Sequence, residues 1–530
     1  MKAIFKLFSL AALASCLLTV SCSDDFLQKD SLTSVSAATF WKTPEDAFAG
    51  LVACYDALTS RYLYSGGPYE CGMFYLDCMT DNGGHFNWNG WMPGYDICNG
   101  TATPSCSFSR LVWQAAYEAI KRCNALIANV DNIEGLDAGT AALYKAEAKY
   151  MRSDIYHFLA MGFHDVPYIT APQSISESAA EKTDRATIIN GVISEFTEII
   201  KDLPVNADSG RITKGAAMAR LARVYLYEGQ WDKAAELYNQ VIALGKYELF
   251  NDYSTLFTPA NEKCSEIILG IRFEGPGLSE GANWTGHWNT PLEAMNGTID
   301  YADDFYKTDG TRYTDKYVCS HKDDGSPNLA DVDYHRYDDR DPRLYATLWV
   351  PGMSWNGKSV QTGRMYGGAA SAYSTVYVSK YFDGTDTKNS WDSPQDFYAI
   401  RYAEVLVSLA ECYAETGKLN EAIALVDQIR ARVNMPSVES VEGSGLSQDE
   451  VRQIVRHERR VELGFEGFRL FDLYRWRLLE DAKDRVNAEA EYYNFNYEFR
   501  YHRGEMDYVW PLPQHEIDSN KNLVQNDLWK

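Results

Sequence analysis

Apolar residues recur at i, i+3 and i+4 over Pro44 to Leu58, Trp113 to Val130, Leu143 to Ala160 and Ile188 to Leu203. That is the period of amphipathic helices. Pro44 suits a first helical turn, where its missing amide costs nothing. The most regular stretch is Arg211 to Leu244. Its first half carries Met218, Leu221, Ala222, Tyr225 and Leu226, Gly229-Gln230-Trp231-Asp232 turns the chain, and its second half carries Ala234, Tyr238 and Val241. The same register returns at Leu409, Ala410, Tyr413, Gly417, Leu419, Ala422 and Val426. Small residues let two antiparallel helices approach closely, and the glycine permits a tight turn between them.

Two pairs in one register resemble tetratricopeptide repeats, in which each pair stacks on its neighbours. Between the pairs the pattern changes. Residues 60–110 and 250–397 are rich in Gly, Asn, Asp, Trp and Tyr, with short strand candidates at Ile267 to Phe273, Leu344 to Val350 and Thr375 to Val378. The fold class is therefore mainly α. A tetratricopeptide-like helix-pair scaffold over 36–60, 110–250 and 398–480 carries long, irregular, aromatic-rich loops and a few short strands. Long loops on a rigid frame are where binding concentrates.

The first 21 residues read as a signal peptide: Lys2 and Lys6 precede an apolar run from Leu7 to Val20 that is too short to span a bilayer. The run ends in Leu18-Thr19-Val20-Ser21-Cys22, a loose lipobox that predicts lipidation of Cys22. Residues 22–35, opening Ser23-Asp24-Asp25 after the cysteine, form a polar tether, and no later stretch is long and apolar enough to cross a membrane. A net charge of −24 argues against nucleic-acid partners and favours an uncharged ligand. Eleven cysteines show no zinc or thioredoxin spacing. A disulfide within the Cys71–Cys106 region is open, and buried free thiols are expected for most of the rest.

With 36 Tyr and 13 Trp, the chain carries more aromatic area than a helical scaffold needs. Phe86, Trp88, Trp91 and Tyr95 lie among Asn and Gly without helical period, as do Trp284 and Trp288. Sugar rings present apolar C–H faces and polar edges, which a flat indole beside an amide or carboxylate can match. Asp81, Asn82 and Asn89 are the candidate edge partners. Trp41, Trp113, Trp231 and Trp476 fall on or beside helices and are assigned to the core.

The most specific words come late: Ile454 to Arg469, containing His457-Glu458-Arg459-Arg460-Val461-Glu462-Leu463-Gly464-Phe465-Glu466-Gly467-Phe468, then Phe471-Asp472-Leu473-Tyr474-Arg475-Trp476 and Trp510-Pro511-Leu512-Pro513. Earlier words are Phe40-Trp41-Lys42-Thr43, Ala146-Glu147-Ala148-Lys149-Tyr150-Met151-Arg152, Phe163-His164-Asp165-Val166-Pro167 and Arg340-Asp341-Pro342-Arg343. In this order they resemble the SusD/RagB family of outer-membrane nutrient-binding lipoproteins. The resemblance implies a single SusD-like domain over 36–530, with four tetratricopeptide-like helix pairs and ligand-binding loops mainly at 60–110 and 250–397. It implies a surface lipoprotein of the outer membrane that captures oligosaccharide without catalysis and sits as a lid on a SusC-like TonB-dependent transporter. It also places glycan-stacking aromatics in an early loop and just before Met295 to Gly310. Peptide capture, as in the RagB branch, and a surface glycoside hydrolase are the competing functions.

Glu458, Glu462 and Glu466 follow one another at i, i+4, with Arg456, Arg459, Arg460 and Arg469 available to neutralise them. A structural ion network is expected there rather than a catalytic carboxylate pair. Gly352 to Ser359 fits the P-loop pattern, but Gly363, Gly367 and Gly368 follow where a helix is required. Gly277-Leu278-Ser279-Glu280-Gly281 fits the hydrolase nucleophile elbow without a helix after it. His457-Glu458 is followed by Val461 where a zinc motif needs histidine. No cofactor is expected; a structural calcium in the acidic stretch Asp323 to Asp341 competes with a solvated loop, because EF-hand spacing is missing.

Overall fold

The computed structural model describes residues 40–64, 72–85, 94–174, 177–275, 277, 295–314, 322–323, 334–355, 358–359, 376–381, 392–493 and 499–530. Helix α1 (Pro44–Leu58) starts as its sequence dictates. Thr43 and Asp46 form a reciprocal capping box and Pro44 occupies the first turn. Next come α2 (Ser107–Asn129), α3 (Ala138–Gly162) and α4 (Arg185–Ile199), the last two capped by Asp137 and Asp184. Helices α5 (Lys214–Tyr227) and α6 (Trp231–Ala243) form a hairpin through Gly229, whose φ of 66° suits glycine.

Ala217, Leu221, Ala222 and Leu226 on α5 are buried, as are Ala234, Tyr238 and Val241 on α6. Short helix α7 (Ile299–Asp304) lies in the irregular half, and the second hairpin, α8 (Tyr402–Glu415) and α9 (Leu419–Arg432), turns at Gly417 with φ of 77°. Helix α10 (Gln448–Leu463) opens with a second capping box, Ser447 with Glu450, and packs on α8 and α9. Helices α11 (Arg469–Trp476) and α12 (Leu479–Tyr493) follow. The pairs α1–α2, α3–α4, α5–α6 and α8–α9 stack in series through α2 on α3, α4 on α5 and α6 on α8.

The strands are β1 (Gly83–His85), β2 (Ile267–Ile271), β3 (Met295–Gly297), β4 (Leu348–Trp349), β5 (Ser354–Trp355), β6 (Lys358–Ser359), β7 (Val376–Val378) and β8 (Phe397–Arg401). They form an antiparallel sheet in the order β1-β3-β7-β4 and two separate pairs, β2–β8 and β5–β6. Leu344 to Val350 is not one strand. Asp341 caps a short helix, Pro342–Thr347, with Pro342 in its first turn, and only Leu348–Trp349 extends.

The carboxy-terminal Trp510-Pro511-Leu512-Pro513 segment docks on the first half of the chain. Trp510 is 1% exposed, sits edge-on to Phe108 and Phe163, and donates its amide to the Gly162 carbonyl at 2.8 Å. A Cβ on Gly162 would fall 2.2 Å from the indole, so only glycine admits this approach. Among the described cysteines, Cys78, Cys98 and Cys106 are buried and no bridge joins them to one another. Cys22 and Cys71 lie outside the described residues.

Glu489 on α12 illustrates a cost built into this half. It accepts the Ile299 and Asp300 amides at the start of α7, at 3.0 and 2.9 Å. Burial outweighs those bonds and pushes its carboxyl up to about 8, from 4.5. The native state therefore holds a proton that the unfolded chain releases above pH 4.5. The resulting stability is complete below that pH and is lost as pH rises through about 8. Glu489→Gln is expected to cancel this fall, on the order of 3 kcal/mol between pH 5 and 9. Parallel urea titrations of variant and wild type across that range measure it, and parallel pH profiles would refute it.

Candidate functional site

The four-stranded sheet decides where the aromatic loops begin and end. Strands β1 and β3 pair in the register Gly83↔Gly297, Gly84↔Asn296 and His85↔Met295. Gly83 is needed for that approach, because a Cβ there would meet the Asn296 carbonyl at 2.8 Å. The segment carrying Trp88, Asn89 and Trp91 leaves directly after His85. The segment carrying Trp284 and Trp288 returns directly before Met295. The two roots are therefore neighbours, although they lie about two hundred residues apart in sequence. These five residues themselves lie outside the described residues. Tyr95, expected in a loop, is the half-buried first residue of a one-turn helix, Tyr95–Asn99.

Asp81 and Asn82, expected at a sugar's edge, are committed to partners within the protein. Both are fully buried beneath β1. Asp81 accepts from Arg469 Nε at 2.9 Å and Nη2 at 2.8 Å, and also pairs with Arg460 and Arg485. Burial alone would raise its carboxyl, but the three guanidiniums outweigh it and hold it well below the usual range. Asn82 accepts from Arg460 Nε at 2.9 Å and donates to Asp77 Oδ1 at 2.8 Å. Asp77 also receives the Phe465 and Gly467 amides, both at 2.9 Å. Arg500 donates to the Thr80 and Gly83 carbonyls. The turn that launches the first aromatic loop is thus clamped from below by the carboxy-terminal segment. Its short Asp-Asn spacing reads as loop chemistry because the partners are nearly four hundred residues away.

The glutamate series is an ion network, with partners other than the neighbouring arginines. Glu458 and Glu462 lie on α10, whereas Glu466 sits beyond its end, next to Phe465 with φ of 60° and Gly467 with φ of 83°. Glu462 accepts from Arg401 Nη1 at 2.6 Å, Arg343 Nη1 at 3.0 Å and Arg432 Nη2 at 2.6 Å. Glu458 accepts from Arg343 and Arg430 at 2.6 and 2.9 Å, and Glu466 from Arg401 and Lys380 at 2.7 and 2.8 Å. Arg459 instead pairs with Asp472 at 2.7 Å, and Arg460 and Arg469 serve Asp81. Arg343 alone had a sequence signal, the Arg-Asp-Pro-Arg word.

Within the P-loop lookalike, Ser354–Trp355 pairs antiparallel with Lys358–Ser359, so its Lys-Ser end is strand where a phosphate site needs the start of a helix. Asp341, in the stretch considered for calcium, is buried and paired with Arg343 at 2.7 Å. Of the tryptophans assigned to the core, Trp113 is buried, but Trp41, Trp231 and Trp476 are only half-buried.

Stacked tetratricopeptide-type helix pairs bearing an irregular half, with two loop roots joined at a strand pair, define a helical scaffold protein built to present loops. A sequence profile described as the SusD family matches residues 266–529, and one described as starch-binding associating with outer membrane matches residues 44–226. A tetratricopeptide-repeat profile matches residues 217–248, the α5–α6 hairpin. This chain belongs to the SusD/RagB family. It is 25% identical to a SusD-like protein of Formosa agariphila, over 98% of this chain and 97% of that protein. It is 22% identical to the starch-binding protein SusD of Bacteroides thetaiotaomicron, over 76% and 75%. A SusD-like carbohydrate-binding protein from Bacteroides fragilis superposes with a TM-score of 0.76 at 26% identity, over 92% of this chain and 100% of that chain.

Proposed function

We propose that this chain captures oligosaccharide at the bacterial surface without catalysis, held to the outer membrane by a lipid on Cys22. It passes the ligand to a SusC-like TonB-dependent transporter. The observation that carries the proposal is the pairing of His85 with Met295, which makes neighbours of the two aromatic loop roots. From those roots Trp88, Trp91, Trp284 and Trp288 can supply one stacking platform, with Asn89 for the sugar edge and Tyr95 at the downstream end of the first loop. The relatives described as starch-binding and carbohydrate-binding support the same ligand class. Glu458, Glu462 and Glu466 are fully committed to arginine and lysine, which favours architecture over acid–base chemistry for these three carboxylates. Anchoring and delivery rest on the lipobox and on family membership.

The experiment is affinity-gel electrophoresis over immobilised polysaccharides and mucin-type glycans, followed by calorimetry on the retained glycan. Trp88→Ala and Trp91→Ala are each expected to weaken binding about five- to thirtyfold, from about 1–2 kcal/mol of apolar contact per stacked ring. The double variant is expected to lose detectable binding to a short oligosaccharide, with melting curves unchanged. Normal binding with melting many degrees lower would assign both residues to packing. Retention of peptides and no glycan would replace the ligand class.

A further inference from the structure

Away from the aromatic loop roots, the scaffold carries a groove made of two cavities of about 560 and 300 Å³ that share Gln453, Arg456 and Trp476. The larger lies against the α5–α6 turn, with Trp231 in its wall, and against Arg452 and Arg475. The smaller runs past Tyr306 and His457 to Arg460, Arg469 and Arg485, the clamp on Asp81.

The arginines of this groove differ in one respect. Arg452 pairs with Glu415 at 2.6 Å, Arg475 with Glu411 at 2.5 Å, Arg312 with Glu442 at 3.5 Å, and Arg460, Arg469 and Arg485 with Asp81. Arg456 has no carboxylate within ion-pair distance among the described residues. Its guanidinium lies 4.7 Å from the centre of the Trp476 ring, and its Nε is buried without an acceptor. Burial pushes its pKa down, so its charge is held at a cost that a bound anion would offset. Beside it, His457 stacks on Tyr306 at 4.0 Å, its Nε2 lies 2.7 Å from the Asp304 carbonyl, and its buried Nδ1 has no partner. The carboxylates that reach Arg456 through space, Glu411 and Glu415, are already paired with Arg475 and Arg452, so this half-buried cation has room for an anion of its own.

We propose that this groove is an acidic-saccharide subsite, in which Arg456 holds the carboxylate or sulfate of a sugar unit while Trp231 offers its ring a wall. The inference rests on the oligosaccharide-capture function and narrows its ligand to glycans with uronate or sulfate units. Planar guanidinium matches either anion in a two-point contact, which lysine cannot reproduce.

The test is calorimetry of the full mature protein with trigalacturonate and with chondroitin 4-sulfate tetrasaccharide, against maltotriose and cellotriose as uncharged probes. At least one acidic probe is expected to bind. Arg456→Gln is expected to weaken it about ten- to hundredfold. Arg456→Lys is expected to restore part of the affinity, and Lys121→Gln, an exposed charge on α2, is expected to change nothing. Binding should also weaken on raising salt from 20 to 500 mM, concentrations spanning Debye lengths of roughly 20 to 4 Å. Absence of acidic-probe binding, or equal affinity of wild type and Arg456→Gln with matching melting curves, would overturn the proposal. In that case uncharged-glycan binding that depends on Trp88 and Trp91 would leave the broader function standing, whereas retention of no glycan at all would remove both.

Discussion

Glu462→Gln is expected to destabilise the protein by about 3–5 kcal/mol, the cost of breaking a buried ion network at one member. The substitution preserves shape and removes the charge that Arg343, Arg401 and Arg432 share. These three arginines are at most 2% exposed, so water cannot take over. Burial works against the Glu462 charge, but Arg432, Arg401 and Arg343 hold its carboxyl well below 4.5. The stability it contributes is therefore fully present above pH 4.5 and lost as pH falls toward the lowered native value. Urea unfolding at pH 7 followed by tryptophan fluorescence measures the loss. Lys121→Gln, at an exposed pair with Glu118, should stay within about 0.5 kcal/mol. A Glu462→Gln variant as stable as that control would show that the arginines find other acceptors.

Asp81→Asn is expected to cost a similar amount, about 3–5 kcal/mol, and to reach the binding loops. Arg460 keeps Asp300 and Asp304, each at 2.9 Å, and Arg485 keeps Asp300 at 3.6 Å. Arg469 loses the only carboxylate it pairs with among the described residues. Since Asp81 and Asn82 immediately precede β1, the root of the first aromatic loop should loosen with them. Hydrogen exchange should quicken at residues 80–85, and glycan affinity should fall together with stability. Were Asp81 a direct ligand contact, affinity would fall while exchange and melting stayed as in wild type. Trp88→Ala is the contrasting case, with affinity lost and stability kept.

Much of the architecture was legible from local pattern. The helix from Pro44 to Leu58 starts where its periodicity starts, because the hydrogen bonds between Thr43 and Asp46 and the fixed φ of Pro44 are all local. The hairpins at Gly229 and Gly417 are likewise local: small residues at fixed offsets and one glycine of positive φ are enough. Leu344 to Val350 misled because β-branched and apolar residues in a short run fit helix or strand equally, and the Asp341–Pro342 start signal decided for helix. Tyr95 was misplaced for a related reason, since a single helical turn is too short to show a period.

The ionic chemistry was not legible in that way. Period and spacing suggested that Arg456, Arg459, Arg460 and Arg469 neutralise the glutamates, because residues close in sequence are the only partners a pattern can see. The native contacts are Arg343, Arg401, Arg430 and Arg432, brought in from the short helix Pro342–Thr347, from β8 and from α9. Coulomb attraction in a buried site depends on distance through space, and chain topology sets that distance.

By itself the sequence determined the helix pairs, the family, and the choice of aromatic and amide residues for the loops, since each depends on neighbours within a turn or two. Only the tertiary structure decided that Asp81 and Asn82 belong to the frame, that the roots at His85 and Met295 adjoin, and that Arg456 faces a groove without a partner. Those outcomes turn on which distant segments share one buried space, a property that burial and packing create and that no local period records.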